Sequence, residues 1–169
     1  MNKIIILGCP SSGKTILANK LGSLLHLPVH HLDKIFWTQE GHIEQDSFIA
    51  QQQEMMNGDK WILDGNFIKS KSYDIRLSNA DTIIFFAFSK AIIYWRLIKR
   101  SIKYFKKLRP DMGGNRKNHF NWELLKLIWN YPTKEEYKII SEFSENKKVI
   151  ILHNVKEESL FLKKLRFTQ

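Results

Sequence analysis

The eight residues Gly8-Cys9-Pro10-Ser11-Ser12-Gly13-Lys14-Thr15 constrain this chain more than any others. They follow a short apolar run, Lys3-Ile4-Ile5-Ile6-Leu7, whose β-branched content reads as a strand. They open a segment, residues 15–26, whose apolar positions Ile16, Leu17, Leu21, Leu24 and Leu25 recur at helical spacing. A strand that turns through glycine into a helix leaves backbone N–H groups converging at the helix N-terminus, where they attract an anion. The pattern G-x-x-x-x-G-K-[ST] is built on that physics. Gly8 turns the chain off the strand, and Gly13 removes a Cβ that would hold backbone away from a phosphate. Ser11 and Ser12 lie within the loop, so their N–H groups belong to the cradle. Lys14 is expected to reach the β- and γ-phosphates of a nucleoside triphosphate, and the Thr15 hydroxyl to ligate Mg²⁺. ATP is the expected triphosphate. Cys9 reads as a small residue in a tight turn.

Strand and helix patterns alternate through the rest of the chain. Further strands are predicted at residues 29–32, 60–63, 82–88 and 148–152. Helices are predicted at 45–57, 73–79, 90–108, 120–130, 133–145 and 157–165. Such alternation implies β-α-β units in one parallel sheet with helices on both faces, a three-layer α/β/α arrangement. With 169 residues and 43% hydrophobic content, a single domain with a real core is expected over residues 1–169. The longest candidate apolar run, 83–88, falls well short of the roughly 18–20 residues a bilayer span needs. The N-terminal apolar run is too short for a secretory h-region and leads straight into glycines, serines and a lysine, so a cytoplasmic protein is expected. The single cysteine excludes a disulfide framework and a Cys-rich zinc site.

The class narrows by what is missing. There is no Asn-Lys-x-Asp for guanine selectivity, and the fourth strand ends in Phe86-Ala87-Phe88 rather than paired acids. Small nucleotide and metabolite kinases remain. Asp64 closes the third strand, Trp61-Ile62-Leu63-Asp64, and is expected at the sheet edge beside the phosphate loop, in the water shell of Mg²⁺. Asp33 closes the second strand by the same logic and is a candidate to hold, or take a proton from, an acceptor hydroxyl. His30 and His31 are assigned structural roles.

The net charge of +10 is concentrated. Residues 90–117 hold ten Lys or Arg and one acid, Asp111. Arg96, Lys99, Arg100, Lys103, Lys106 and Lys107 recur at three- and four-residue steps and form a stripe along one helix. The chain then runs into Gly113-Gly114-Asn115-Arg116, and glycines flanking an arginine suit a lid over the site, at about residues 108–118. Arg96, Arg100 and Arg116 are therefore candidate phosphate contacts. The same stripe could instead form a nucleic-acid-binding face.

Taken together, several segments resemble the bacterial "DNA topology modulation protein" (FlaR-like) family, small P-loop proteins related to adenylate kinase. They are residues 8–15, His31-Leu32-Asp33 with Phe36-Trp37, Trp61-Ile62-Leu63-Asp64-Gly65-Asn66, Trp95-Arg96 with Arg100, and Gly114-Asn115-Arg116. The resemblance implies an adenylate-kinase-like fold with five parallel strands in order 2-3-1-4-5, a lid and ATP binding. It names no substrate. The chain departs from adenylate kinases themselves, which follow the third-strand Asp-Gly with a Pro-Arg a residue later. Here Asn66-Phe67 follows, and the first arginine of the chain is Arg76, which weighs against AMP as acceptor. Phe36, Trp37 and Phe67 are candidates to line an apolar or stacking acceptor pocket.

The expectation is thus an ATP-dependent kinase for a small nucleoside, nucleotide or metabolite. The alternative is a nucleotide-dependent DNA-binding protein without kinase activity.

Overall fold

A computed structural model describes residues 1–38, 41–103, 122–143 and 145–167. Five strands form one parallel sheet: β1 (Lys3–Gly8), β2 (Val29–His31), β3 (Trp61–Asp64), β4 (Thr82–Phe86) and β5 (Lys148–Leu152), in order β2-β3-β1-β4-β5. The central position of β1 follows from its sequence. Ile4, Ile5, Ile6 and Leu7 are all 0% exposed, which only a strand covered on both faces permits. Successive side chains alternate across the sheet. Ile4 and Ile6 enter a core layer with Leu17, Ala18 and Leu21 of α1 (Lys14–Leu25). Ile5 and Leu7 enter the opposite layer with Phe48, Trp61, Leu77 and Ile140.

Helices cover both faces. Besides α1, the first layer takes Ile93 and Leu97 of α5 (Lys90–Lys103), Ile128 of α6 (Trp122–Trp129) and Leu162 of α8 (Val155–Arg166). The second is built by α2 (Leu32–Phe36), α3 (Gln45–Met56), α4 (Tyr73–Asn79) and α7 (Thr133–Glu142). This is the three-layer α/β/α fold expected from the alternation, with the expected strand order. Among the described residues no helix is long and apolar enough to cross a membrane.

Most elements fall within two residues of their expected bounds. One difference matters for the site. The strand expected over 29–32 stops at His31, and Leu32 begins a short helix whose Asp33 carbonyl accepts the Trp37 N–H at 3.2 Å. Leu32 is fully buried against Gly65, where an added Cβ would lie 2.7 Å from the leucine Cβ. Burying Leu32 beneath that turn coils the chain one residue earlier than its apolar pattern suggests. Asp33 therefore sits inside α2 rather than at a strand end. Helix α8 begins two residues before its expected start because Asn154 caps it, its side chain accepting the Glu157 N–H at 3.0 Å. The end of the long helix expected to residue 108, the lid at about 108–118, Arg116 and the first residues expected in α6 all lie outside the described residues.

Candidate functional site

The C-terminal ends of β1, β2 and β3 open onto residues 8–15. The loop needs two glycines for stated reasons. Gly8 has φ +130°, and a Cβ there would lie 2.8 Å from the Phe86 carbonyl oxygen of the neighbouring strand. Gly13 has φ +106° and receives the guanidinium of Arg96 where its own Cβ would stand. Helix α1 starts at Lys14, so its first N–H groups face the concave side of the loop.

Two features mark the loop as an anion cradle. The Lys14 ammonium donates to the carbonyls of Gly8 at 2.8 Å and Cys9 at 3.0 Å. It is thus folded over the loop, on partners it can exchange for phosphate oxygens. The hydroxyls of Ser11 and Ser12 are buried, and among the described residues neither has a hydrogen-bond partner. Buried polar groups are nearly always paired, so two orphaned hydroxyls side by side in a positive-φ loop point to a ligand that completes them. Cys9 takes no part in this chemistry. Burial pushes its thiol up to about 12, although the charge of Lys14 works against that shift, so it stays a neutral thiol.

Asp64 lies beside the cradle. It is the last residue of β3, paired in register with Ile6 on one side and His31 on the other. That register brings His31 Nδ1 within 2.9 Å of Asp64 Oδ2, while His31 Nε2 meets Asn19 Oδ1 at 3.2 Å. Asn19 is one helical turn beyond Thr15 on the same face of α1. His31 thus ties the Asp64 carboxylate to the Thr15 face of α1, a role its adjacency to Asp33 in the sequence did not reveal. Thr15 and Asp64 are hard oxygen donors and fit Mg²⁺, which takes few protein ligands and fills its shell with waters and phosphate oxygens. Among the described residues no three His, Cys, Asp or Glu cluster as a complete metal cage.

The basic stripe divides in two. Arg96 and Arg100 are half-buried on one side of α5, while Lys99 and Lys103 are exposed. Lys99 stands 4.7 Å over the exposed Trp95 ring. Arg96 reaches the backbone of the phosphate loop. One amino group donates to the Ser12 carbonyl and the other to Glu158 Oε2 at 3.1 Å, with the guanidinium 4.7 Å over the Phe88 ring. It braces the loop backbone. Arg100 lies one turn further along the same side of α5.

Asp33 is exposed on α2. Next to it, Phe36 packs 5.0 Å from Trp37, 4.9 Å from Phe67 and 5.2 Å from Phe48, and stacks on His42 at 5.3 Å. The three expected aromatics do gather, with Phe48 and His42 added. An antiparallel bridge pairs Trp37 with His42.

Sequence reasoning missed the groups that hold the turn after β3. Arg76, fully buried, donates to the carbonyls of Gly65 at 2.9 Å, Asn66 at 2.8 Å and Phe67 at 3.2 Å. Its isolation as the first arginine of the chain was the available signal. Asn66 in turn accepts the Gly8 N–H at 3.0 Å.

Glycine-turned strand, orphaned hydroxyls, helix N-terminus and folded lysine on a 2-3-1-4-5 sheet define a P-loop protein of kinase-like fold. No protein-family model and no curated protein sequence matches the chain. Among solved structures it is similar to shikimate kinase from Bacteroides thetaiotaomicron, with TM-score 0.57 and 13% identity over 98% of this chain and 96% of that one. It is also similar to a gluconokinase from Sinorhizobium meliloti 1021, with TM-score 0.56 and 12% identity over 99% of this chain and 94% of that one. A third is deoxyadenosine kinase from M. mycoides, with TM-score 0.53 and 12% identity over 98% of this chain and 99% of that one. Coverage is nearly complete in both directions, so the likeness extends to the whole fold.

Proposed function

We propose that this chain is an ATP-dependent kinase that phosphorylates a small hydroxylated molecule. The observation that carries the reading is the cradle itself: Lys14 resting on two loop carbonyls above two orphaned serine hydroxyls at a helix N-terminus. The fold supports it, since the solved structures similar to this chain include a shikimate kinase, a gluconokinase and a deoxyadenosine kinase. The resemblance to the DNA topology modulation family is compatible with it, and we assign the chain to that family on those residues.

The reaction breaks the bond between the γ-phosphorus and its bridging oxygen to the β-phosphate and forms one to the acceptor oxygen. The acceptor's hydroxyl proton passes to a base. Asp33, exposed on α2, is the candidate for that proton. Phe36, Trp37 and Phe67 offer the acceptor an apolar wall. Lys14 leaves the Gly8 and Cys9 carbonyls for the β- and γ-phosphates, where its charge balances what develops in transfer. The Ser11 and Ser12 N–H and hydroxyl groups complete the anion's contacts. Thr15 would hold Mg²⁺ directly and Asp64 through water, with His31 fixing the carboxylate; when bound, the ion neutralises phosphate charge. Arg96 braces the loop, and Arg100 and Arg116 add positive charge, Arg116 from a lid at about residues 108–118 within one domain.

The test is ADP release from Mg²⁺-ATP by the purified protein, with and without pools of hydroxylated acids, sugar acids, nucleosides and nucleoside monophosphates. Release that depends on one acceptor, and that Lys14→Ala lowers by about 10³-fold, is the expected result. Release indifferent to every acceptor, or unchanged in Lys14→Ala, would remove the kinase reading. DNA binding that weakens steeply with salt would then favour a nucleotide-dependent DNA-binding protein.

A further inference from the structure

A polar chain runs from the first glycine of the phosphate loop to a buried glutamate on α7. Gly8 N–H donates to Asn66 Oδ1 at 3.0 Å, and Asn66 Nδ2 donates to the Tyr131 hydroxyl at 2.5 Å. The Tyr131 hydroxyl donates to Glu136 Oε2, and the Tyr73 hydroxyl donates to Glu136 Oε1 at 3.0 Å. Glu136 lies on α7 and is 0% exposed. None of the phosphate chemistry above requires it, and a wholly buried carboxylate is costly unless its bonds repay the loss of water.

The order of donors along this chain follows from its last member. A carboxylate only accepts, so both tyrosines must donate to Glu136. With its proton committed there, the Tyr131 oxygen can only accept from Asn66. The Asn66 amide must then turn its NH₂ group to Tyr131 and its carbonyl to Gly8. Reversing any link would set two donors against each other at Gly8. The backbone of the same turn is held from another side by Arg76, through the carbonyls of residues 65, 66 and 67. A buried cation thus fixes the turn's main chain, and a buried anion fixes the direction of its side chain.

The consequence falls on the Gly8 peptide. Asn66 holds its N–H, and Lys14 holds its carbonyl at 2.8 Å. Once phosphate draws Lys14 away, Asn66 still holds that peptide by its N–H. We propose that Glu136, acting through Tyr131 and Asn66, is a positioning residue for the phosphate loop: its acceptor-only carboxylate orients Asn66 so that the loop's hinge stays in place when nucleotide recruits Lys14. This rests on the phosphate-binding reading of residues 8–15. Burial raises the Glu136 carboxyl above its ordinary range, against the pull of the two tyrosine hydroxyls, the charge of Lys14 and a hydrogen bond from the Asn66 side chain, which ties Glu136 to Asn66 directly as well as through Tyr131.

Two tyrosines make the test specific. Tyr131→Phe and Tyr73→Phe each remove one hydroxyl from Glu136, but only Tyr131 lies on the path to Gly8. Two readouts are needed: the dissociation constant for Mg²⁺-ATP by calorimetry, and hydrogen exchange of the Gly8 amide by NMR without nucleotide. Tyr131→Phe is expected to weaken ATP about tenfold and to speed Gly8 exchange about tenfold, while Tyr73→Phe changes each by less than about twofold at a comparable loss of thermal stability. Equal effects of the two substitutions on Gly8 exchange, or none from Tyr131→Phe, would overturn the proposal. Glu136→Gln keeps the shape but offers one acceptor to two tyrosines, and is expected to fall between them. It carries the test if Tyr131→Phe does not fold, and unchanged Gly8 exchange in it would be equally fatal. A wild-type protein that binds no Mg²⁺-ATP sinks the phosphate-binding reading, while the exchange measurement still decides the relay.

Discussion

The two ends of the sheet are built on different plans. At the N-terminal end of the strands, polar groups are knotted to one another. Asp81 takes the N–H groups of Asn2 at 2.7 Å and Lys3 at 3.0 Å and the Thr82 hydroxyl at 2.6 Å, and Lys147 donates to the carbonyls of Ser78 and Ala80 at 2.6 Å each. At the C-terminal end, the chain turns through positive φ at Gly8, Ser11, Gly13, Gly65 and Phe67, and two serine hydroxyls have no partner among the described residues. Backbone strain and unmet donors are costly, and they persist where surrounding structure over-determines them. That surrounding structure is Arg76, Asn66, Tyr131 and Glu136. One end of the sheet holds the fold together, and the other is held in place so that it can receive something. Open α/β sheets bind ligands at that second end.

The contrast breaks first at Arg76. If the site end depends on buried charges, Arg76→Met should be the most damaging single change there. It removes the donor to the buried Gly65 carbonyl and to the part-buried carbonyls of Asn66 and Phe67. The expected loss is about 3–5 kcal/mol, a large share of a typical domain's stability, read from urea unfolding. A loss below about 1 kcal/mol would mean that the turn holds its shape without the cation.

Sequence reasoning located the parts of this site that are local. The phosphate loop, Asp64 at the end of β3 and the aromatics near α2 each follow from a motif or a strand end within a few residues. The parts it missed are contacts across the fold. Asn66 meets Tyr131 over 65 residues and Tyr73 meets Glu136 over 63, and each depends on how α7 packs against the turn after β3. No periodicity reports such a meeting. Glu136 in particular sits in a helix pattern where a glutamate is unremarkable, and only its burial sets it apart. Arg96, expected as a phosphate contact, meets the Ser12 carbonyl and Glu158. Spacing along a helix shows which residues share a face, not whether that face meets a phosphate or the loop backbone. The strand order came from the family resemblance rather than from any pattern in the chain.

A middle-sized effect is expected at the loop's hinge. Gly8→Ala places a Cβ 2.8 Å from the Cβ and carbonyl oxygen of Phe86 and asks an L-residue to hold φ +130°. The central strand cannot yield without breaking its pairing to β4. The substitution should cost about 2 kcal/mol in unfolding free energy and should also weaken Mg²⁺-ATP binding. Loss of stability with unchanged nucleotide affinity would place the strain in β1 alone and separate the hinge from the cradle.

The smallest effect is expected at the opposite end of the sheet, and it should leave the site untouched. Burial opposes the charge on Asp81, but the bonds from Thr82 and from the Asn2 and Lys3 amides outweigh it and hold the carboxyl below 3.8. A carboxyl whose folded-state pKa lies below its unfolded one contributes stability above the unfolded value, and that contribution fades as pH falls through the folded value. Asp81→Asn should therefore cost about 1 kcal/mol at neutral pH, modest because the carboxylate is exposed and screened. The wild-type advantage should persist down to about pH 4 and vanish below it. Mg²⁺-ATP affinity should match the wild type within about twofold, since the knot shares no partner with the loop. A loss of nucleotide binding in Asp81→Asn would show that the two ends are coupled through β1, and the division of labour along the strands would fail.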